Sequence, residues 1–413
     1  MIRVLHTADW HADGEPKKLV KLEQSLKQML NYVERNKVNA IIHAGDIWER
    51  KQTYADKSGV PLVIEYLKEM SKHVDFIFIT KGNNSHDEPG SISLLHQLEP
   101  NIYAYEYPVV LAVKEPEVPE NGKVKDILNN EGGMYPVDID YIVSLVPYPT
   151  KAMFVKEQSI DLNNDEFVSI FEGIFDLIAD KTAMYNCPKL LAFHGNVIGS
   201  RLSTGQTLLS QDIMVAPATL KKAKADYYAL GHIHLRQEVQ PNMVYSGSIY
   251  NKNWGETEQK SFEVIEFHNW QEKSGELEGR LSFERVMLTS ARPMITVEAE
   301  FMPELQGYFI IQTLLNEFPQ NAEYRFRCKV KENERKLITD EVISLIKQRF
   351  GEDVKIEWNI IPDERESRSV AIMHAKTLLE EIEEYAKVVG FELSNSIKEK
   401  VKNLQSTKEE VVI

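Results

Sequence analysis

Short apolar runs alternate with longer stretches of helical spacing through the first third of the chain. Residues 2–5, 40–43 and 76–79 are β-branched or aromatic runs that end at polar loops, the pattern of strands buried on both faces. Between them, residues 18–34 place Leu19, Leu22, Leu26, Leu30 and Val33 on one helical face, and residues 62–70 repeat the arrangement. Strand, helix and strand in this order predict parallel βαβ units. In such sheets the loops past the carboxyl ends of the strands collect ligands. Asp9 and His11, Asp46, and Asn83 with His86 all fall in those loops.

Residues 114–140 turn to Glu, Pro, Asn and Gly and predict an insertion or mobile loop. Strand character returns at 141–146. Residues 165–181 predict a helix with Phe167, Ile170, Phe171, Ile174 and Ile178 inward. The strands 190–193 and 225–230 run into His194 and His232, and 243–246, 262–267 and 281–288 are expected to complete a second, mixed sheet. Two sheets with flanking helices make a four-layer α-β-β-α sandwich over residues 1–290. From 291 to 361 the pattern resets to strand 293–299, helix 304–317, strand 322–330, helix 336–350 and strand 354–360, a small β-α-β-α-β module. Residues 362–413 hold a charged connector (362–369) and two amphipathic helices broken at Gly390, with Ser394 or Asn395 as the second N-cap.

The 413 residues are 43% apolar, enough for buried cores, and no run reaches the length of a membrane span. Cys187 and Cys328 stand far apart and form no Cys-x-x-Cys, which leaves no thiolate zinc site or disulfide framework to expect. A cytoplasmic location is the expectation that follows. The net charge of −15 argues against tight binding of nucleic acid by this chain alone. Acids that hold metal would be offset by the bound cations, so the objection is not decisive.

Asp9 and His11, Asp46 after Gly45, His194, and His232 with His234 each follow a predicted strand. One such element arises easily by chance; the ordered set does not. A carboxylate such as Asp46 has two oxygens and can bridge two ions roughly 3.5–4 Å apart, the arrangement that activates water against a phosphate ester. Mixed oxygen and nitrogen donors suit manganese, iron or zinc better than calcium.

The order Asp-x-His, Gly-Asp, Gly-Asn-(x)-His-Asp, His-Gly and Gly-His-x-His resembles the calcineurin-like metallophosphoesterases. The stretches Leu5-His6-Thr7-Ala8-Asp9-Trp10-His11, Ala192-Phe193-His194-Gly195 with Gly199-Ser200, and Tyr228-Ala229-Leu230-Gly231-His232-Ile233-His234 with Tyr245-Ser246-Gly247-Ser248 resemble the Mre11/SbcD-type DNA-repair nucleases more narrowly. The likeness covers residues 1–290. The module 291–361 and the tail match that family's capping domain and ATPase-binding helices in layout more than in residues.

The resemblance implies that Asp9, His11, Asp46 and His234 hold one divalent ion, expected to be Mn2+, and that Asp46, Asn83, His194 and His232 hold the other. It implies His86 as the acid/base outside the coordination shell. It further implies cleavage of DNA, 3′→5′ on duplex ends and endonucleolytic on single strands, a Rad50/SbcC-type SMC-like ATPase gripped through 371–413, and a homodimer. No P-loop motif occurs in the chain, so any ATP dependence would come from that partner.

Two departures bear on the site. Gly82-Asn83-Asn84-Ser85-His86-Asp87 carries two extra residues before the histidine, which leaves Asn84 as a competing ligand. Glu49 stands where many relatives carry histidine and would repel DNA unless paired, with Arg50 as the nearest candidate. Arg201, Lys221 and Lys222 are the candidate DNA contacts, although a run of lysines is commonly just a solvated helix face. His43 reads as a hydrogen-bonded core histidine, and His73, His96, His268 and His374 as surface residues. The rival readings are a phosphatase acting on phosphoproteins or small phosphoesters, and a non-catalytic scaffold, which would be expected to have lost ligands.

Overall fold

A computed structural model describes residues 1–49, 59–117, 123–129, 136, 138–149, 164–203, 213–273, 276–289, 292–305, 307–313, 318–362, 372 and 374–409. The first third runs β1 (Ile2–Thr7), α1 (Pro16–Arg35), β2 (Ala40–Ala44), α2 (Gly59–Ser71), β3 (Phe76–Thr80) and β4 (Ile102–Tyr105), and the four strands pair in parallel. Next come β5 (Val109–Lys114), β6 (Lys123–Asp126), β7 (Tyr141–Val146), α3 (Asn164–Thr182) and β8 (Lys189–His194). A short ribbon of β9 (Asn196–Val197) and β10 (Met214–Val215), α4 (Pro217–Lys221), β11 (Tyr227–Gly231), β12 (Gln237–Gln240) and β13 (Met243–Tyr245) follow. The second sheet has the order β12-β13-β11-β8-β7-β5-β6.

The long hairpin β14 (Ser261–Lys273) and β15 (Glu276–Met287) departs from expectation. It does not finish the second sheet. β14 pairs antiparallel with β1, Val4 opposite Ile265, and the first sheet is ordered β15-β14-β1-β2-β3-β4. Local apolar pattern marks these residues as strands but carries no information on which edge they join. The expected loop 114–140 likewise contains β6, which pairs antiparallel with β5.

Side chains on a strand alternate between faces, so a continuous apolar run serves two cores at once. Val4, Ala40, Ile42, Phe76 and Phe78 of the first sheet meet Tyr141, Val143, Leu190, Ala192, Tyr227 and Ala229 of the second in one inter-sheet core. The intervening Leu5, Ile41, Ile77 and Ile79 turn outward onto Leu22, Leu26, Val63 and Leu67 of the two helices. Ile142, Leu191, Phe193 and Leu230 turn outward onto Phe171, Phe175 and Ile178 of α3. These layers are the α-β-β-α sandwich. Phe167 lies outside the described side chains.

Next along the chain come β16 (Met294–Phe301), β17 (Phe309–Ile311), β18 (Glu323–Lys331), α5 (Asp340–Phe350) and β19 (Lys355–Ile361), the strands ordered β17-β16-β18-β19. The helix expected over 304–317 is not formed at 309–311. There the chain turns through Gly307 and Tyr308, both at positive φ, and pairs Phe309–Ile311 back onto β16; residues 314–317 lie outside the described residues. The tail forms α6 (Leu378–Val389) and α7 (Asn395–Glu409), with Gly390 left-handed at the break. The connector 363–369 lies outside the described residues. The chain divides into two compact units, Met1–Val297 with Leu314–Arg325 and Lys347–Lys355, and Glu298–Thr313, Phe326–Ile346 and Ile356–Ile413.

Candidate metal centre

The loops after β1 and β2 are zipped together by backbone hydrogen bonds, Asp9 N to Gly45 O (3.0 Å), His11 N to Asp46 O (3.1 Å) and Ala12 N to Ile47 O (2.8 Å). That pairing holds Asp9, His11 and Asp46 at φ of 53°, 43° and 56°, and His232 sits at 102°. Left-handed backbone costs an L residue roughly 1–2 kcal/mol and persists where the surroundings over-determine it. Four of the seven non-glycine residues at positive φ among the described residues are predicted ligands. The strain is therefore concentrated at this edge.

Close approach explains two glycines here. Gly45 has φ of 88°, and a Cβ on it would stand 2.3 Å from His194 Nδ1. A Cβ on Gly82 would stand 2.0 Å from Asp46 Oδ1. Asp87, fully buried, accepts from Gly82 N (2.7 Å), Asp46 N (3.0 Å) and Trp48 N (3.1 Å), tying the loops after β2 and β3 together.

Asp46 Oδ2 is the hub. It lies 3.3 Å from His194 Nε2, 3.9 Å from His11 Nε2 and 4.0 Å from His86 Nε2. On one side, His11 Nε2 stands 3.0 Å from His234 Nε2 and 4.0 Å from Asp9 Oδ1. On the other, the rings of His194 and His232 are 5.3 Å apart. Three donor groups result, Asp9–His11–His234, Asp46–His194–His232 and His11–Asp46–His86, each with its ligating atoms within 4.8 Å of one another. Asp9 also accepts from His232 N through both oxygens, at 3.0 and 3.1 Å, which joins the two sheets.

Asn83 also reaches the hub, its Nδ2 donating to Asp46 Oδ2 at 3.1 Å while its Oδ1 accepts from Ser85 N at 3.0 Å. Asn84 instead accepts from Lys81 Nζ, so of the two asparagines Asn83 is the one placed against Asp46. His86 hydrogen-bonds the Glu49 carbonyl through Nδ1, stacks edge-on against His11 at 4.6 Å, and is a quarter exposed. Arg201, Lys221 and Lys222 are not brought into this cluster. Lys222 pairs with Glu172 and Asp176 of α3, Lys221 reaches Gln240, and the Arg201 backbone bonds Gln237. His43 is buried and accepts from Gly45 N, as a core histidine should. His73 and His374 are exposed, but His96 and His268 are half-buried.

Glu49 is paired, but Arg50, which lies outside the described residues, is not what neutralises it. Its Oε2 stands 2.6 Å from Lys252 Nζ and 3.1 Å from His11 Nδ1. The reading of the sequence also missed Glu256, Lys260 and Tyr148. Glu256, fully buried, accepts from His234 Nδ1 (2.9 Å) and from Lys260 Nζ (2.7 Å). Tyr148 faces the rings of His194 and His232 at 6.0 and 5.7 Å. The one sequence signal for the pair was Glu256 and Lys260 four apart, close after the Tyr-Ser-Gly-Ser stretch.

Burial, with Lys252 next, holds His11 well below the ordinary imidazole range, and burial also lowers His234. A neutral imidazole is the form that offers a lone pair to a metal. Burial would raise Asp46, but His194 and then His86 overcome it and hold the carboxylate ionised. Burial would lower His194, yet Asp46 carries it up to about 9. In the metal-free chain a proton on His194 thus substitutes for cationic charge opposite Asp46. The buried imidazoles of His11 and His234, held neutral, converge with the ionised Asp46 carboxylate, and a divalent metal would take the place of the proton on His194.

A family model, calcineurin-like phosphoesterase, matches residues 2–236, and the chain belongs to that family. It is a metal-dependent phosphoester hydrolase. No match was found among curated proteins. One solved structure aligns with 68% of this chain and 98% of its own length at 10% identity and a TM-score of 0.37. No helix among the described residues is long and apolar enough to cross a membrane.

Proposed function

We propose that this hydrolase is a two-metal DNA nuclease, the nuclease subunit of a complex with an SMC-like ATPase of the Rad50/SbcC type. The observation that carries the two-metal part is Asp46 Oδ2, shared between the imidazoles of His194 and His11. Asp9, His11, Asp46 and His234 would hold one ion, and Asp46, Asn83, His194 and His232 the other. When bound, such a pair supplies a water of lowered pKa and neutralises phosphate charge, and manganese suits the donor set. Asp46 keeps its charge at the junction because His194 and His86 face it. His86 keeps Nε2 toward the cleft because Nδ1 is spent on the Glu49 carbonyl, so its free nitrogen can hold or deliver a proton at the leaving oxygen.

Support for DNA as substrate comes from the motif resemblance, and the acidic balance of the chain does not oppose it at the site. Glu49 and Glu256 pair with Lys252 and Lys260, and Glu263 with Arg236, so these carboxylates are not presented to a polyphosphate. Support for a partner in the tail comes from Tyr385 and Val389 on α6 and Leu404 on α7, all more than half exposed. Apolar helical stripes of this kind are how helices dock into a groove. Dimerisation through helices of the first third completes the proposal.

The test is incubation of the full chain with manganese, a labelled duplex, a labelled single strand and a generic phosphomonoester. Cleavage of DNA with little turnover of the monoester is expected. Preferential turnover of the monoester would make this a phosphatase and refute the nuclease assignment. Binding of the ATPase should vanish on removal of 371–413, and retained binding would remove the tail from the interface.

A further inference from the structure

The imidazoles around Asp46 are not backed alike. His234 donates from Nδ1 to the carboxylate of Glu256 at 2.9 Å, and His11 Nδ1 stands 3.1 Å from the carboxylate of Glu49, an ion-pair contact without hydrogen-bond geometry. His194, across the cleft, donates its Nδ1 to the carbonyl of Ala44 at 2.6 Å, and His86 likewise uses a carbonyl. Of these four rings, the two that face carboxylates are the two whose Nε2 atoms face each other at 3.0 Å, beside Asp9.

The carboxylates are themselves held in place. Glu256 accepts from Asn253 Nδ2 (3.0 Å) and Lys252 N (3.2 Å) as well as from Lys260, whose ammonium also meets Glu258 at 2.7 Å and Ser248 Oγ at 2.8 Å. Lys252, the residue whose backbone N–H reaches Glu256, sends its ammonium to Glu49. One loop, residues 252–260, therefore orients both supporting acids.

We propose that Glu49 and Glu256 are positioning residues that lock His11 and His234 with Nε2 toward the metal and make the Asp9–His11–His234 position the tighter of two unequal cation sites. A carboxylate behind a ligating imidazole fixes the tautomer and raises the basicity of the opposite nitrogen, and losing such a partner costs about 10- to 100-fold in metal affinity. A carbonyl behind His194 fixes the tautomer with less added charge. Glu49 thus has a use in this chain that a histidine at the same position could not supply. The inference rests on the two-ion reading of the site.

The test is calorimetric titration of the metal-free full chain with Mn2+, compared with Glu256→Gln and Glu49→Gln. The wild type should show two binding events of different affinity. Each variant should weaken the tighter event by about 10- to 100-fold and leave the weaker one within about twofold. A nitrogen-correlated imidazole NMR spectrum should show His234 carrying its proton on Nδ1 in the wild type, with that signal shifted or in exchange in Glu256→Gln. Glu49→Gln alters a carboxylate at the rim of the cleft and serves if Glu256→Gln does not fold. No binding of two ions by the wild type would refute the two-ion reading itself. Two ions bound, with the tight event unchanged in a folded variant, or with both events weakened equally, would overturn the positioning role and leave the two-ion reading standing.

Discussion

Replacing Asp87 by alanine should loosen the metal edge without touching a ligand. Its carboxylate is fully buried and accepts three backbone N–H groups, from Gly82, Asp46 and Trp48, at 2.7, 3.0 and 3.1 Å. Alanine would strand all three donors away from water, at roughly 1–3 kcal/mol each, a gross loss of about 3–9 kcal/mol. Burial and then Asp46 push the Asp87 carboxyl above the usual range, so keeping it ionised already costs energy in the folded chain. A rise to about 6, at about 1.4 kcal/mol per pKa unit, means that removing that strained charge returns about 3 kcal/mol, and from the middle of the gross range the net destabilisation should be about 3 kcal/mol. That is a large part of the stability of an ordinary domain. The assay is denaturant unfolding of metal-free wild type and Asp87→Ala at pH 7.5, followed by manganese binding under conditions where the variant is folded. A lower midpoint and weakened binding of manganese are both expected, because Asp46 N is one of the freed donors. A loss below about 1 kcal/mol with full manganese binding would refute the view that this residue clamps the two loops.

His86→Ala should bind manganese as the wild type does and lose about 10²- to 10⁴-fold in turnover; loss of metal would move His86 into the coordination shell. Far from the site, burial and a hydrogen bond with Asp75 raise Glu115 to about 7. Its folded pKa lies above the unfolded value, so the stability it contributes is full below about 4.3 and is lost as pH rises through about 7. Because Glu115 is only half-buried, the effect is discounted to about 1–2 kcal/mol. The stability difference between wild type and Glu115→Gln should fall by that amount from pH 5 to 8, measured by denaturant midpoints, and a flat or rising difference would refute it.

What the sequence determined by itself was everything governed by short range. Apolar runs at β1, β2, β3, β7, β8 and β11 mark their strands, because a strand buried on both faces is apolar at most of its positions. Asp9, His11, Asp46, His194, His232 and His234 were legible because each ends its strand or lies within four residues past it, and loops at that edge of a parallel sheet are where ligands gather. Pairing across the chain was not legible. The hairpin β14–β15 carries the same alternation whichever sheet it joins, and only the free edge of β1 decides that it completes the first. The charge on Glu49 looked like an obstacle when its nearest candidate partner was Arg50. Folding delivers Lys252 to it from some two hundred residues away and turns the acid toward His11. Glu256 gave no sign of its use because a carboxylate has a role only once a particular imidazole nitrogen faces it. Local periodicity encodes elements and loop positions; which side chains stand within 3 Å of one another is settled by how the two sheets pack.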